Sequence, residues 1–149
     1  MCSPEPNTDP LPTIIAPAHT VLFISKSSSS PNTANIPSTS HYADLTPSTS
    51  SIVVISQPAG QRNAVLGGLV AARIKKLGAA GVVVDGRIRD LQEIRVGLEG
   101  FPVFSKGTST VGAGAESKAV QVGGEIEIEG CKVRQVCSLL DCLFGKITC

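Results

Sequence analysis

The sequence predicts an α/β domain in which a central β-sheet is flanked by helices. Residues 63–90 carry the two patterns that indicate this class. First, apolar residues recur at helical spacing, with basic residues on the opposite side, at Leu66, Leu69, Val70, Ile74 and Leu77. Second, residues 81–85 form a β-branched run without polar alternation, which is typical of a strand covered on both faces.

The elements follow in chain order. A first strand is expected around residues 20–25 and a second at 51–57. A turn at 58–60 then leads to the helix, which is expected to begin near Asn63 and to stop at Gly78. Three further segments complete the prediction: a short strand at 101–104, a Gly- and Thr-rich loop at 106–114, and a hairpin between 125–129 and 131–133 with Ile126 and Ile128 facing inward.

Composition excludes several classes of function. The chain has 149 residues, enough for one core, and a formal net charge of +1, which gives no argument for a nucleic-acid or membrane partner. An aromatic content of 3% without tryptophan argues against a base-stacking surface. Five cysteines without a C-x-x-C pair indicate free thiols. Because no segment has a membrane-span or signal-peptide pattern, we expect a cytoplasmic protein.

A candidate site lies at the two ends of the strand-helix-strand unit. In such a unit the helix N-terminus and the carboxyl end of the next parallel strand lie at the same sheet edge, so Gly67, Gly68 and Arg89 are expected to share a pocket. The unpartnered N–H groups of a glycine-rich first turn bind carboxylates or phosphates, and a guanidinium adds a bidentate contact. Asp90 supplies an oxygen ligand for a divalent cation.

The residues alone leave structural alternatives open. Glycines at a helix start also serve close packing, and Asp90 followed by Glu93 fits a capping box with Asp90 as N-cap of a helix through about Val96. His41 and Tyr42 could approach the pocket, but a turn position or a loop contact is favoured for each. Asp85 is given a supporting role as an acceptor for the amides around Gly86. Lys106 is interpreted as a solvated lysine.

Five motifs accompany the Arg89–Asp90 pair: PAHTV at 17–21, HYADLTP at 41–47, VVISQPAGQRNAVLGG at 53–68, FPVFSKGTST at 101–110 and GAGAESKA at 112–119. Together they resemble the RraA-like family, which includes class II 4-hydroxy-4-methyl-2-oxoglutarate aldolases and oxaloacetate decarboxylases. The resemblance implies a layered fold with a central sheet, a trimeric or hexameric homo-oligomer, and a site between subunits. It also implies cleavage of a 4-hydroxy-2-oxo acid to pyruvate.

The same resemblance implies roles for individual residues. Arg89 contacts the carboxylate and carbonyl end of the oxo acid, and Asp90 anchors Mg²⁺ or Mn²⁺. The backbone of Gly67, Gly68, Leu69 and Val70 receives the pyruvyl carboxylate. Bacterial aldolases have an acidic residue at the position of Gly68, so only the backbone role carries over to this chain.

The resemblance also sets domain boundaries. An RraA-like domain is expected at 13–134, with an exposed Ser- and Pro-rich loop at 27–40, after a disordered segment at 1–12. The tail at 135–149 departs from the family pattern, so the fold is expected to be incomplete at both ends. Two alternative functions remain: a non-catalytic interaction module of the ribonuclease-regulator type, and an inactive truncated homologue.

Overall fold

A seven-stranded sheet forms the centre of the protein, in a computed structural model that describes residues 14–47, 50–135 and 138–139. The described strands are β1 Ala16–Ser25, β2 Ile52–Ser56, β3 Ala64–Leu66, β4 Gly81–Ile88, β5 Val103–Thr108, β6 Ser117–Val122, β7 Ile126–Ile128, β8 Cys131–Val133 and β9 Ser138–Leu139. The helices are α1 Gly68–Lys76 and α2 Leu91–Gly97, with short 3-10 helices at Tyr42–Leu45 and Ala113–Ala115. The predicted α/β class with a central sheet is confirmed.

The sheet is mostly parallel, which places its ligand-binding edge. Strands run in the order β3-β4-β2-β1-β6, with β5 along β4 and β9 along β1. The pairs among β1 to β5 are parallel, whereas β6 and β9 run antiparallel to β1. The carboxyl ends of β3 and β4 therefore lie side by side, and the start of α1 lies at the same edge as the end of β4, as the strand-helix-strand pattern predicted.

Side chains at alternate strand positions point to opposite faces of the sheet and pack into two hydrophobic cores, one on each face. On one face, Val53, Ile55 and Val84 pack with Ile74 of α1 and Ile94 of α2. On the other face, a smaller cluster consists of Ala16, Ala18, Ile52, Val54, Ile126 and Val133. The second cluster is covered by the β7–β8 hairpin, whose strand Ile126–Ile128 buries Ile126 as the alternation predicted.

The prediction that the helix begins near Asn63 is wrong. Residues 64–66 form a strand that pairs with β4, and the helix begins at Gly68. The Ala64 N–H also donates to the Val111 carbonyl at 2.7 Å, so tertiary pairing overrides the helical spacing. Leu69, predicted on the buried face, is 84% exposed, whereas Ile74 is fully buried.

Two strands are longer than predicted, because each finds partners along its length. β1 begins at Ala16, four residues before the predicted start, since Ala16 and Pro17 pair with β9 and Ala18 pairs with β2. β5 begins at Val103 and continues to Thr108 along the extended β4. The predicted loop at 106–114 therefore loses its first three residues to the sheet.

An irregularity in β4 gives Asp85 a different partner from the one predicted. Residues 85 and 86 of β4 lie between the paired positions Val84 and Arg87, opposite a single residue of β5, Lys106. Lys106 forms ion pairs with Asp85, whose side chain is only 11% exposed, and with Glu129 at the hairpin turn. The hydrogen bond from Lys106 to Asp85 raises the lysine pKa, with Glu129 adding to the effect. Lys106 is therefore solvated, as predicted, with its side chain 51% exposed, and it also pairs with two carboxylates.

The Ser- and Pro-rich loop lies along β6. Residues 26–41, all of them described, form turns without a helix or strand. The Asn35 side chain accepts from the Val122 N–H at 2.9 Å and donates to the Val122 carbonyl at 2.8 Å. Its own N–H donates to the Val120 carbonyl at 3.0 Å. One residue thus uses its backbone and side chain to occupy the outer edge of β6.

Neither described helix has the length and hydrophobicity needed to cross a membrane. The predicted disordered segment 1–12 and most of the predicted tail 135–149 lie outside the described residues. The same holds for every cysteine except Cys131, which is exposed and has a free thiol.

Candidate functional site

The glycine turn before α1 and the Arg89–Asp90 corner after β4 meet directly. The Arg89 N–H donates to the Leu66 carbonyl at 3.0 Å, which extends the pairing of β3 and β4 by one step. The Gly68 N–H then donates to Asp90 Oδ2 at 3.0 Å, and Arg89 Nε lies 3.4 Å from the same oxygen. The convergence predicted for these residues is present in the structure.

The two glycines of this turn let the charged side chains pack directly against the helix start. A Cβ atom at Gly67 would lie 2.7 Å from Asp90 Oδ2 and 2.9 Å from Arg89 Nε. A Cβ atom at Gly68 would lie 3.0 Å from the Glu93 Cβ and closer still to its carboxylate. A larger residue at either position would therefore require these side chains to move.

Asp90 has the backbone position of an N-cap but not its hydrogen bond. It precedes α2 with φ of 62°, in the left-handed region, and its side chain makes no capping bond to α2. Aspartate tolerates this conformation better than most residues, and such strain is concentrated at functional sites. The capping alternative is thus correct for the location of Asp90 and wrong for its side chain, which bonds to Gly68 instead.

A cavity of about 350 Å³ opens beside this corner. Among the predicted site residues, Gly67, Val70 and Arg89 line it, whereas Gly68, Leu69 and Asp90 do not. The remaining lining residues are Phe23, Ile36, Ser40, His41, Tyr42, Ala64, Val65, Leu66, Ala113, Ser117, Lys118 and Ala119. The cavity therefore combines a guanidinium and a helix N-terminus with largely apolar walls, an arrangement suited to a small organic anion.

Asp90 faces a second opening. It borders a groove of about 500 Å³ together with Leu91, Glu93 and other residues of α2. Since the Gly68 N–H is donated to Asp90, it is not free for a carboxylate in the cavity, contrary to the expectation for that amide. Among the residues of the turn, Gly67 and Val70 remain next to the cavity.

His41 and Tyr42 line the same cavity as Arg89, a position that the sequence allowed but ranked below a turn or loop role. The buried Tyr42 hydroxyl donates to the Val65 carbonyl at 2.9 Å, and its ring lies 4.4 Å from the His41 ring. His41 Nδ1 accepts the Ala43 N–H at 3.2 Å, so the predicted turn role is also present. Burial raises the pKa of Tyr42 and lowers the pKa of His41, so both side chains are uncharged near neutral pH.

Asn63 is a residue that the sequence analysis missed. It is fully buried, and its side-chain amide donates to Ser117 Oγ at 2.6 Å and to the Ala113 carbonyl at 3.3 Å. These bonds attach the segment before Gly67 to the strand β6 and to the short helix Ala113–Ala115. The available signal was a polar side chain immediately before the apolar residues Ala64, Val65 and Leu66.

The acidic residues at this corner fit a hard divalent cation in part. No group of three or more His, Cys, Asp or Glu residues that could hold a metal occurs in the part of the chain described. However, Asp90 and Glu93 border the same groove, and Mg²⁺ is commonly held by one or two carboxylates, with water and substrate oxygens as the other ligands. The donor set thus fits Mg²⁺ or Mn²⁺ with an incomplete protein shell.

Solved structures with the same fold were found, and each shows similarity of fold alone. An uncharacterized protein from Pseudomonas syringae pv. tomato str. DC3000 has a TM-score of 0.69 at 21% identity, covering 91% of this chain and 57% of the other. Streptomyces coelicolor RraAS2, described as an unusual member of the RNase ES inhibitor RraA family, has a TM-score of 0.68 at 24% identity, covering 89% and 63%. The RNA-processing inhibitor RraA from Thermus thermophilis has a TM-score of 0.61 at 22% identity, covering 86% and 70%.

The chain therefore spans less than two thirds of the first two structures. No protein with a curated description matches it. The family model described as Aldolase/RraA matches residues 3–137, which is most of the sequence. On this match, the chain belongs to the RraA-like family.

Proposed function

We propose that this protein is a divalent-metal-dependent class II aldolase. Its substrate would be 4-hydroxy-4-methyl-2-oxoglutarate or a related 4-hydroxy-2-oxo acid, cleaved to pyruvate, with decarboxylation of oxaloacetate as a side activity. The observation that carries the proposal is the convergence of Arg89, the Gly67 turn and Asp90 at one corner beside a cavity. The family description Aldolase/RraA supports the same reaction class.

Arg89 and the helix start bind the carboxylate end of the substrate. The guanidinium offers paired donors that match a carboxylate, and the N-terminus of α1 contributes its partial positive charge. Val70, Leu66 and the aromatic residues provide apolar walls, which strengthen these charge interactions by excluding water. A volume of about 350 Å³ accommodates an acid of this size.

Asp90 and Glu93 are the residues that would hold Mg²⁺ or Mn²⁺. The Gly68 N–H fixes the Asp90 carboxylate, which keeps its orientation independent of the ligand. A bound cation supplies a Lewis acid for the 2-oxo group of the substrate. These carboxylates border an open surface groove, so the proposal includes a homotrimer or hexamer in which a neighbouring subunit completes the site. We also propose that the enzyme acts in the cytoplasm.

The side chains of the cavity favour charge stabilisation over proton abstraction. Cleavage of the C3–C4 bond converts the C4 hydroxyl to a carbonyl and leaves the electron pair on the pyruvate fragment as its enolate. The hydroxyl proton passes to water, and C3 of the enolate then takes a proton from water to give pyruvate. Arg89 stabilises the negative charge that develops on the enolate. His41 accepts a hydrogen bond at Nδ1, so its neutral ring carries a proton on Nε2 and acts as a donor. The Tyr42 hydroxyl is committed to the Val65 carbonyl.

A coupled assay of pyruvate release tests the proposal. We expect wild-type protein with Mn²⁺ to cleave the aldol substrate, and we expect Asp90→Asn and a chelator each to abolish turnover. Thermal unfolding with and without Mn²⁺ shows whether the sample is folded and binds the ion. A folded wild-type sample without metal-dependent pyruvate release contradicts the aldolase proposal.

A second candidate is a non-catalytic interaction module. One structurally similar protein is described as an RNA-processing inhibitor and another as an unusual member of an RNase ES inhibitor family. On this chain, Leu69 and Val96 are 84% and 77% exposed on the two helices, which leaves apolar side chains available for a protein partner. Binding to a ribonuclease that is lost in Leu69→Glu, without pyruvate release by the wild type, would favour this candidate.

A further inference from the structure

Gln57 is a buried polar residue that connects the two segments carrying the candidate site. It follows β2 and is 7% exposed, below the sheet edge where Gly67 and Arg89 meet. We infer that Gln57 is a positioning residue, which holds the glycine turn and the Arg89–Asp90 corner at a fixed separation. The catalytic consequence rests on the proposed aldolase function, whereas the structural consequence is measurable without any substrate.

The Gln57 amide uses both of its ends. Its Nε2 donates to the Asn63 carbonyl at 2.8 Å and to Asn63 Oδ1 at 3.1 Å. Its Oε1 accepts from the Arg87 N–H at 2.9 Å. Asn63 lies four residues before Gly67, and Arg87 lies two residues before Arg89. One side chain thus links the approach to the helix start with the approach to the charged corner.

The irregularity in β4 makes this link necessary. Residues 85 and 86 face a single residue of β5, so the regular ladder is interrupted just before Arg87. The Arg87 N–H is partly buried and would be left without an acceptor by this interruption, and Gln57 supplies the acceptor. Gly86 provides the space, because a Cβ atom there would lie 2.8 Å from the Gln57 Cβ. The glycine and the glutamine therefore work as a matched pair.

The chemistry of the position requires a donor and an acceptor together. Glutamine offers both, whereas an ionised glutamate offers acceptors only and would face two Asn63 oxygens. A protonated glutamate regains a donor and reproduces the pattern of glutamine. Burial against oxygens raises the pKa of a carboxyl group, so a glutamate at this position takes up a proton as the pH is lowered. Gln57→Glu is therefore a substitution whose effect reverses with pH.

Amide spectra of the ligand-free protein test the inference directly. We expect the Gly68 N–H and Arg89 Nε–H signals of Gln57→Glu to differ from wild type at about pH 8 and to return towards wild type at about pH 5, as the introduced carboxyl group becomes protonated. Wild type is recorded at each pH, so that other titrations cancel. Gln121→Glu, the same exchange on β6, is the matched control and leaves both signals in place.

Activity gives a second measurement. A displacement of about 1 Å at a site costs about 100-fold in rate, so we expect kcat of Gln57→Glu to fall by about 10- to 100-fold at high pH, with recovery as the pH is lowered. A lack of turnover by the wild type refutes the aldolase proposal and leaves the spectral comparison intact.

Unchanged Gly68 and Arg89 signals in Gln57→Glu at both pH values overturn the inference, whether or not the protein is an enzyme. If Gln57→Glu does not fold at high pH, Gly86→Ala replaces it, because the added methyl group displaces Gln57 from the opposite side. The same two signals are then expected to shift. Their constancy in a folded Gly86→Ala sample also overturns the inference.

Discussion

Asp90 accepts the first free N–H of α1, that of Gly68, at 3.0 Å, although Asp90 itself precedes α2. The carboxylate therefore joins the starts of two helices that are separated by a strand. This relationship fixes the orientation of the acidic residue and brings Arg89 Nε to within 3.4 Å of the same oxygen. Arg89 and Asp90 nevertheless border different openings, so the proposed anion and cation sites can be altered separately.

Arg89→Ala is expected to lower kcat/KM for pyruvate formation by about 10- to 150-fold, because a hydrogen bond to a charged group contributes about 1.5–3 kcal/mol. The melting temperature should change little, since the Arg89 side chain is 47% exposed. Steady-state kinetics and thermal unfolding measure the two effects. Arg87→Ala, two residues earlier near the end of β4, is the control, and an equal loss there would contradict a specific role for Arg89.

Gly67→Ala is expected to reduce activity by about 100-fold, because displacement by about 1 Å is costly at a reacting centre. The added methyl group would lie 2.7 Å from Asp90 Oδ2 and must move that carboxylate. Gly97→Ala is the matched control, with no atom within 4 Å of the new Cβ. The control should keep full activity and gain about 0.4–1 kcal/mol in the free energy of unfolding. Equal activity of both variants would show that the turn tolerates a side chain.

Tyr42→Phe is expected to lower the free energy of unfolding by about 1–2 kcal/mol, because it leaves a buried carbonyl without a donor. The hydroxyl now donates to the Val65 carbonyl at 2.9 Å. Urea denaturation measures the change. A stability equal to wild type would indicate that another donor reaches Val65.

Lys106→Met is expected to lower the free energy of unfolding by about 1–2 kcal/mol. A fully buried ion pair would cost more, but Lys106 is 51% exposed. The cost arises at Asp85, whose side chain is 11% exposed and would lose its cation. Glu129→Gln should have a much smaller effect, since Glu129 is 73% exposed. Denaturation of the two variants side by side checks this asymmetry, and a larger loss in Glu129→Gln would contradict it.

Stability is expected to fall with acidification below about pH 6.5. His19 is 4% exposed, and neither ring nitrogen has a hydrogen-bond partner among the described residues. Burial lowers its pKa from the ordinary 6.5, so the unfolded chain binds a proton before the folded chain does. The contribution of neutral His19 to stability is therefore fully present above pH 6.5. It is lost as the pH falls from 6.5 towards the lower pKa that His19 has in the folded protein.

The loss caused by His19 reaches at most about 1.4 kcal/mol for each pH unit. His41 contributes with the same sign, because burial lowers its pKa as well. Urea denaturation between about pH 5 and pH 8 measures the slope. His19→Leu should reduce it, and an unchanged slope in that variant would assign the pH dependence to other groups.

The sequence predicted that the glycine turn and Arg89 would meet, but it predicted the bounds of the strands and the helix less well. The helical spacing and the β-branched run located Gly67, Gly68 and Arg89 at one edge, because that inference needs only the topology of a parallel unit. The strand at Ala64–Leu66 was missed, since its pairing with β4 is a tertiary contact that overrides local periodicity. Gln57 and Asn63 were missed for a related reason: a side-chain amide reveals its role only when both partners are in place.

The hydrogen bonds between Asn35 and β6 have a consequence for self-association. An unpaired strand edge is a template for strands from other molecules, and here that template is filled by one amide group instead of a neighbouring strand. Asn35 therefore protects this strand edge from pairing with other molecules. Replacing Asn35 with alanine would remove both side-chain bonds to Val122 and expose backbone groups on which copies of the chain can stack.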